Sequence, residues 1–202
     1  ETVYLVDRGT DAVYWNEMET LACWEQGTAS VDISDLAVKD EATIYALGNG
    51  DVAMSDDHGT AASWEGPVPS EVDTGHTIAV LGDNVLVGGE DGDVSYSDDG
   101  GETFTALEDV TDTGLVHVAF DSYFDGNKTV YAALADAGED NGIYRWVIGE
   151  STEWEDLNAE EYDYYGIVLD RPAPGNPMTS AATGGVLYAT YVDSDEHGHT
   201  GV

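Results

Sequence analysis

Apolar residues along the chain fall in short runs broken by Gly-, Asp- and Asn-rich stretches, and four of these runs share one arrangement. Val13-Tyr14-Trp15-Asn16, Val52-Ala53-Met54-Ser55, Val94-Ser95-Tyr96-Ser97 and Ile143-Tyr144-Arg145-Trp146 each enter a polar turn and then reach an aromatic residue: Trp24, Trp64, Phe104 and Trp154. Their first residues stand 39, 42 and 49 positions apart, the spacing of a repeated supersecondary unit. Upstream lie paired runs rich in β-branched and aromatic residues, which predict strands. In the second unit these are 35–38 and 43–47, in the third 77–81 and 85–88, and in the fourth 116–120 and 129–133. Helical periodicity is nearly absent; the stretch from Asn158 to Tyr162 is too short for more than a turn.

Two runs upstream and two strands around the turn make four strands per unit. A four-stranded meander cannot bury both faces by itself, so consecutive sheets must stack, and radial stacking is the usual outcome. The pattern therefore predicts an all-β fold of β-propeller type with four-stranded antiparallel blades. Approximate blades are 1–30, 31–73, 74–113, 114–160 and 161–202, the first and last partial. The first unit opens on Thr2-Val3-Tyr4-Leu5-Val6, which matches a second strand. The last offers 165–169 and 186–191 and no turn motif. A piece of a larger propeller is the expectation, the alternative being a compact ring closed by its terminal strands. The absence of an initiator Met before Glu1 agrees with an excised segment.

Charge narrows the partners. The 202 residues carry 42 Asp and Glu against 5 Lys and Arg, a formal net charge of −37. Binding a polyanion requires a cationic stripe, and Arg8, Lys39, Lys128, Arg145 and Arg171 are scattered, so nucleic acid is excluded and an anionic membrane surface disfavoured. No apolar run is long enough to insert into a membrane. Self-repulsion of this size calls for an ion-rich medium, outside the cell or in a halophilic cytosol. Cys23, the single cysteine, cannot form an internal disulfide, and its setting Leu21-Ala22-Cys23-Trp24 predicts a small buried hydrophobe.

Ser97-Asp98-Asp99-Gly100-Gly101-Glu102-Thr103-Phe104 fits the pattern Ser-x-Asp-x-Gly-x-x-Phe/Trp. It resembles the Asp-box, or BNR repeat, of sialidases, sortilin-type receptors, xyloglucanases, photosystem assembly factors and many bacterial surface proteins. Ser97, Asp99, Gly101 and Phe104 would be its structural residues: Gly for a positive φ, Asp for backbone N–H groups, the ring folded beneath. Ser55, Asp57, Gly59 and Trp64 keep the pattern with two extra residues before the Trp, while Trp24 and Trp154 are relics. The segment from Val118 to Ala132 is similar to the linker after the first strand in Asp-box proteins of bacterial cell surfaces, among them surface-layer components. This resemblance implies an extracellular or cell-surface location.

Catalytic groups are harder to place. Sialidase chemistry demands an arginine cluster, and Arg8, Arg145 and Arg171 stand in no such context; no nucleophile motif is recognisable. A glycosidase demands two facing carboxylates, which a chain this acidic cannot single out. No catalytic residue is assigned. Acidic loops offer hard oxygen ligands suited to Ca²⁺, with Asp91 and Asp93 in one, Asp136 and Asp140 in another, and a third at Asp193-Ser194-Asp195-Glu196. His197 and His199 form a pair of the kind that binds Zn²⁺, in a Gly-rich loop. Asn127-Lys128-Thr129 is an N-glycosylation sequon, and Tyr162, Tyr164 and Tyr165 form a candidate contact patch. The resulting expectation is a non-catalytic extracellular module of a surface-layer-like assembly, its charge neutralised by divalent cations, binding protein partners or copies of itself. The alternative is a propeller that binds or cleaves carbohydrate.

Overall fold

A computed structural model describes residues 2–18, 23–159, 162–170, 186–192 and 200–201. Among them the chain forms five antiparallel sheets in sequence order. β1 (Thr2–Asp7), β2 (Ala12–Glu17) and β3 (Glu25–Thr28) make the first. The second comprises β4 (Asp35–Val38), β5 (Ile44–Gly48), β6 (Asp51–Ser55) and β7 (Trp64–Pro69), and the third β8 (Gly75–Leu81), β9 (Asn84–Gly89), β10 (Val94–Ser97) and β11 (Thr105–Ala106). β12 (Leu115–Phe120), β13 (Thr129–Ala135), β14 (Ile143–Val147) and β15 (Glu155–Asp156) form the fourth, and β16 (Asp163–Leu169), β17 (Leu187–Val192) and β18 (Thr200–Gly201) the fifth. Each strand pairs with its neighbour in sequence, so every sheet is a meander. Among the described residues no helix is long and apolar enough to cross a membrane.

Burial explains which runs were continuous and which alternated. β5 is buried along its whole length, and Val85, Leu86 and Val87 of β9 are fully buried, because sheets cover both faces of these inner strands. The outermost strands β11 and β15 are two residues long and exposed, which is why no apolar pattern marks them. The chain divides into two compact units, residues 1–87 with 95–106, and residues 88–94 with 107–202. In the first unit one core joins Val13, Val31 and Ile33 to Ile44, Ala46 and Ala53; a second joins Tyr45, Leu47 and Val52 to Ile78, Val80, Val85 and Val87. In the second unit Ala133, Ile143 and Tyr164 form a core against which Tyr162, Ile167, Leu187 and Tyr191 pack.

Two expectations are corrected. Cys23 is exposed, since it precedes β3 instead of lying in a strand, and the neighbouring Trp24 is 46% exposed rather than folded beneath a turn. The segment after β12 contains a single helical turn, α1 (Phe124–Asn127), where a loop was expected. Phe124 is buried edge-on against Phe120 at 4.8 Å, and the Lys128 ammonium lies 4.8 Å from the Phe124 ring centroid. Apolar anchoring holds this turn despite its Gly126.

Candidate functional site

The two best-formed turns lie in the first unit and share their geometry. In the turn after β6, the Ser55 hydroxyl accepts the Gly59 N–H at 2.8 Å and the Asp57 N–H at 3.3 Å. After β10, the Ser97 hydroxyl accepts the Gly101 N–H at 2.9 Å and the Asp99 N–H at 3.4 Å. Both turns place two successive residues at positive φ, His58 (58°) and Gly59 (87°) in one, Gly100 (79°) and Gly101 (86°) in the other. The two extra residues of the first turn are absorbed after Gly59: Ser63 donates its N–H to the Thr60 carbonyl, and the Trp64 indole N–H returns to the Gly59 carbonyl at 3.1 Å. Phe104 packs against the core between the second and third sheets.

Asp99 is held by its own loop. It accepts the Thr103 hydroxyl at 2.6 Å, the Thr103 N–H at 3.0 Å and the Ser97 hydroxyl at 2.8 Å, and these donors, the Thr103 hydroxyl foremost, lower its pKa from 3.8 to about 2. The same use of carboxylates recurs. Asp40 accepts the N–H groups of Ala42 and Thr43, which lower its pKa. Asp11 accepts the Ile33 N–H just ahead of β4, and Asp35 accepts the Ile78 N–H within β8, so each ties its sheet to the backbone of the next. Burial raises the pKa of Asp35 against the pull of these donors. In the second unit the buried Asp121 accepts the Tyr123 N–H, the Asn127 amide and the Tyr131 hydroxyl, and burial and this bond push Tyr131 up to about 12.

A cleft of about 320 Å³ opens within the first unit between β6–β7 and the turn after β10. Val52, Met54 and Val68 give it an apolar floor, and Glu65, Asp99 and Glu102 give it three carboxylates. Tyr45 closes the inner end; its hydroxyl donates to the Gly100 carbonyl at 3.0 Å, and burial raises its pKa. Sequence reasoning singled out Asp99 and Gly101 but missed Tyr45, Met54 and Glu65, because the cleft joins positions 55 residues apart in Tyr45 and Gly100. A tyrosine inside an otherwise aliphatic central strand was the available signal.

The remaining expected sites fare unequally. Among the described residues no group of three or more Asp, Glu, His or Cys side chains is arranged to hold a metal. Asp136 accepts the Tyr165 hydroxyl at 3.2 Å, and Asp93 lies against Gly89, whose N–H donates to the Asp93 carbonyl. Asp193, Asp195, Glu196, His197, His199 and Arg171 lie outside the described residues. Asn127 is half-buried: its amide nitrogen donates to Asp121 at 2.8 Å, its Oδ1 accepts the Thr129 N–H, and Thr129 is buried. The tyrosine patch is corrected too. Tyr164 is 5% exposed within the core, and Tyr162 stacks on Tyr191 at 4.5 Å; Tyr165 alone of the three is exposed. Strand alternation explains this, since adjacent residues of β16 face opposite sides. Arg8 is exposed in the turn after β1, and Arg145 pairs with Glu155 across β14 and β15.

No family model matches the chain, and no curated protein matches it. Solved structures do. YCF48 bound to D1 peptide superposes with a TM-score of 0.58 at 15% identity over 98% of this chain and 63% of that one. The nidogen/laminin complex gives 0.57 at 14% over 84% and 65%. A candidate 6-phosphogluconolactonase from Bacteroides uniformis gives 0.57 at 16% over 95% and 62%. The chain thus spans under two thirds of the length of these three. All are β-propellers, and the present chain has a β-propeller fold built from four-stranded antiparallel blades.

Proposed function

We propose that the chain is a non-catalytic interaction module, built from blades of the Asp-box kind and displayed at a cell surface, that offers an acidic folded face to protein partners or to further copies of itself. The observation that carries this reading is the use made of its carboxylates. Asp11, Asp35, Asp40, Asp99 and Asp121 all accept hydrogen bonds from the chain's own backbone, which suits them to bracing turns. A general acid would instead be a carboxyl raised in pKa and open to substrate, and Asp35, whose pKa burial raises, is tied to Leu36 and Ile78. Propellers of like fold occur with a bound peptide, as YCF48 does, and in the nidogen/laminin complex, which supports binding as the task. Placement outside the cell rests on the net charge of −37 and the turn motif. Cations of the surrounding medium, divalent ones included, balance that charge diffusely.

The exposed Cys23 supplies a test of location. A membrane-impermeant maleimide applied to intact source cells should modify the Cys23 peptide as read by mass spectrometry; modification only after lysis overturns the surface placement. The non-catalytic part fails if the protein releases sugar from a panel of β-glucans and sialosides, or opens a sugar lactone, and acid-to-amide substitutions abolish the reaction.

A further inference from the structure

The cleft beneath the turn after β10 has a composition that selects its occupant. Its floor of Val52, Met54 and Val68 is apolar, while Glu65 and Glu102 stand exposed at its rim beside Asp99. Asp99 already accepts three hydrogen bonds and contributes a fixed charge; among the described residues no hydrogen bond or ion pair engages the Glu65 or Glu102 carboxylate. Lys39, a nearby cation of this unit, is taken up by Asp83 at 2.7 Å. An anionic ligand is repelled, and a metal ion is poorly served, since no three such side chains converge among the described residues. An oligosaccharide is too large for about 320 Å³, which is at the small end of ligand pockets. What fits is a cationic head on an alkyl stem.

Resting on the reading of the chain as a protein-binding module, we infer that this cleft receives a single lysine or arginine side chain from a protein partner. The stem lies along Val52, Met54 and Val68, and the charged head sits between Glu65 and Glu102, with Asp99 adding to the field. The net charge of the whole chain draws basic segments toward the surface, and the cleft converts that general attraction into one defined contact.

The test is a titration of the ¹⁵N-labelled full chain with the blocked peptide acetyl-Gly-Arg-Gly-amide, followed by NMR, with the norleucine analogue as the uncharged stem. The arginine peptide should move the amides of Gly66, Gly100, Gly101 and Glu102 saturably, and the norleucine peptide should not. Replacing both rim acids, Glu65→Gln with Glu102→Gln, should weaken binding by about fivefold or more, in line with the loss of two exposed ion pairs. Met54→Ala should weaken it with the charge unchanged, while Glu150→Gln with Glu153→Gln, exposed acids of the other unit, should leave it as in wild type. The amide spectrum of each variant reports its folding. Shifts spread evenly over the acidic surface, or unchanged binding by the Glu65/Glu102 variant, overturn the inference. A partner that still cross-links to that double variant leaves the interaction-module reading standing and removes only this site.

Discussion

Asp35 and Asp99 show how one residue type acquires opposite behaviour in a single unit. Asp99 is exposed and receives three donors, so its folded-state pKa lies near 2, below the ordinary 3.8. Its contribution to stability is therefore present in full above that ordinary value and is lost as pH falls toward 2. Asp35 is raised by burial, and its ionised form weighs against folding above its own pKa, an effect that acid relieves. Asp99→Asn should accordingly be less stable than wild type at pH 5, and the gap in urea midpoint between the two should shrink as pH is lowered to about 2. A gap that stays constant over that range would mean Asp99 acts through shape and not charge. Ser95 gives a prediction of the other sign. Its hydroxyl is fully buried in β10 with no hydrogen-bond partner among the described residues, and Ala53 occupies the matching place two residues before Ser55 in β6. Ser95→Ala should stabilise the chain by about 1 kcal/mol in denaturant unfolding, because an unsatisfied buried hydroxyl is removed.

Stacked sheets must approach closely at the element scale, and Gly27 in β3 marks one such place. A Cβ there would stand 1.8 Å from the Gly59 carbonyl oxygen, backbone against backbone, so the first sheet and the turn after β6 would have to part. Gly27→Ala should destabilise the chain by about 3 kcal/mol, as overpacking does, with chemical denaturation as the measure; a change below about 0.5 kcal/mol would show that this approach is not required. The inner elements were legible in the sequence because inner strands are buried on both faces. Thus 94–97 is the strand β10 to the residue, while the edge strand β4, only partly buried, was marked at 35–38 by its apolar residues alone. Strands β7 and β15 left little trace, since Glu65, Gly66, Glu155 and Asp156 are exposed and have no side of a core to match. The turns were legible for a different reason: Ser97, Asp99 and Gly101 satisfy one another within five positions, so their spacing alone carries the geometry. The cleft was not, because Tyr45 and Glu65 meet Glu102 only through the stacking of separate sheets. Tyr164 was misjudged because a local motif shows a residue's chemistry but not which side of the strand it occupies.

The charge of the whole molecule looks different once its hydrogen bonds are known. A net charge of −37 suggests a surface made for binding cations, yet many of the Asp carboxylates hold turns and join sheets, tasks for which a short anionic acceptor is well suited. The charge is then partly a consequence of building so many tight turns from Asp, and the chain must tolerate the repulsion that results. Repulsion among separated surface charges is weakened by any salt, since the Debye length falls from about 10 Å at 0.1 M to about 3 Å at 1 M. Carboxylates assembled into a ligand set would respond to micromolar Ca²⁺ instead, and among the described residues no such set exists. Thermal unfolding in rising NaCl should therefore raise Tm by about 5 °C or more between 0.1 and 2 M. At 2 M salt a chelator should leave the midpoint unchanged, and at low salt Ca²⁺ and Mg²⁺ should stabilise alike at millimolar concentration. A rise in Tm at micromolar Ca²⁺ that Mg²⁺ does not reproduce would show that the charge is balanced at a specific site, and diffuse screening would then be the wrong account.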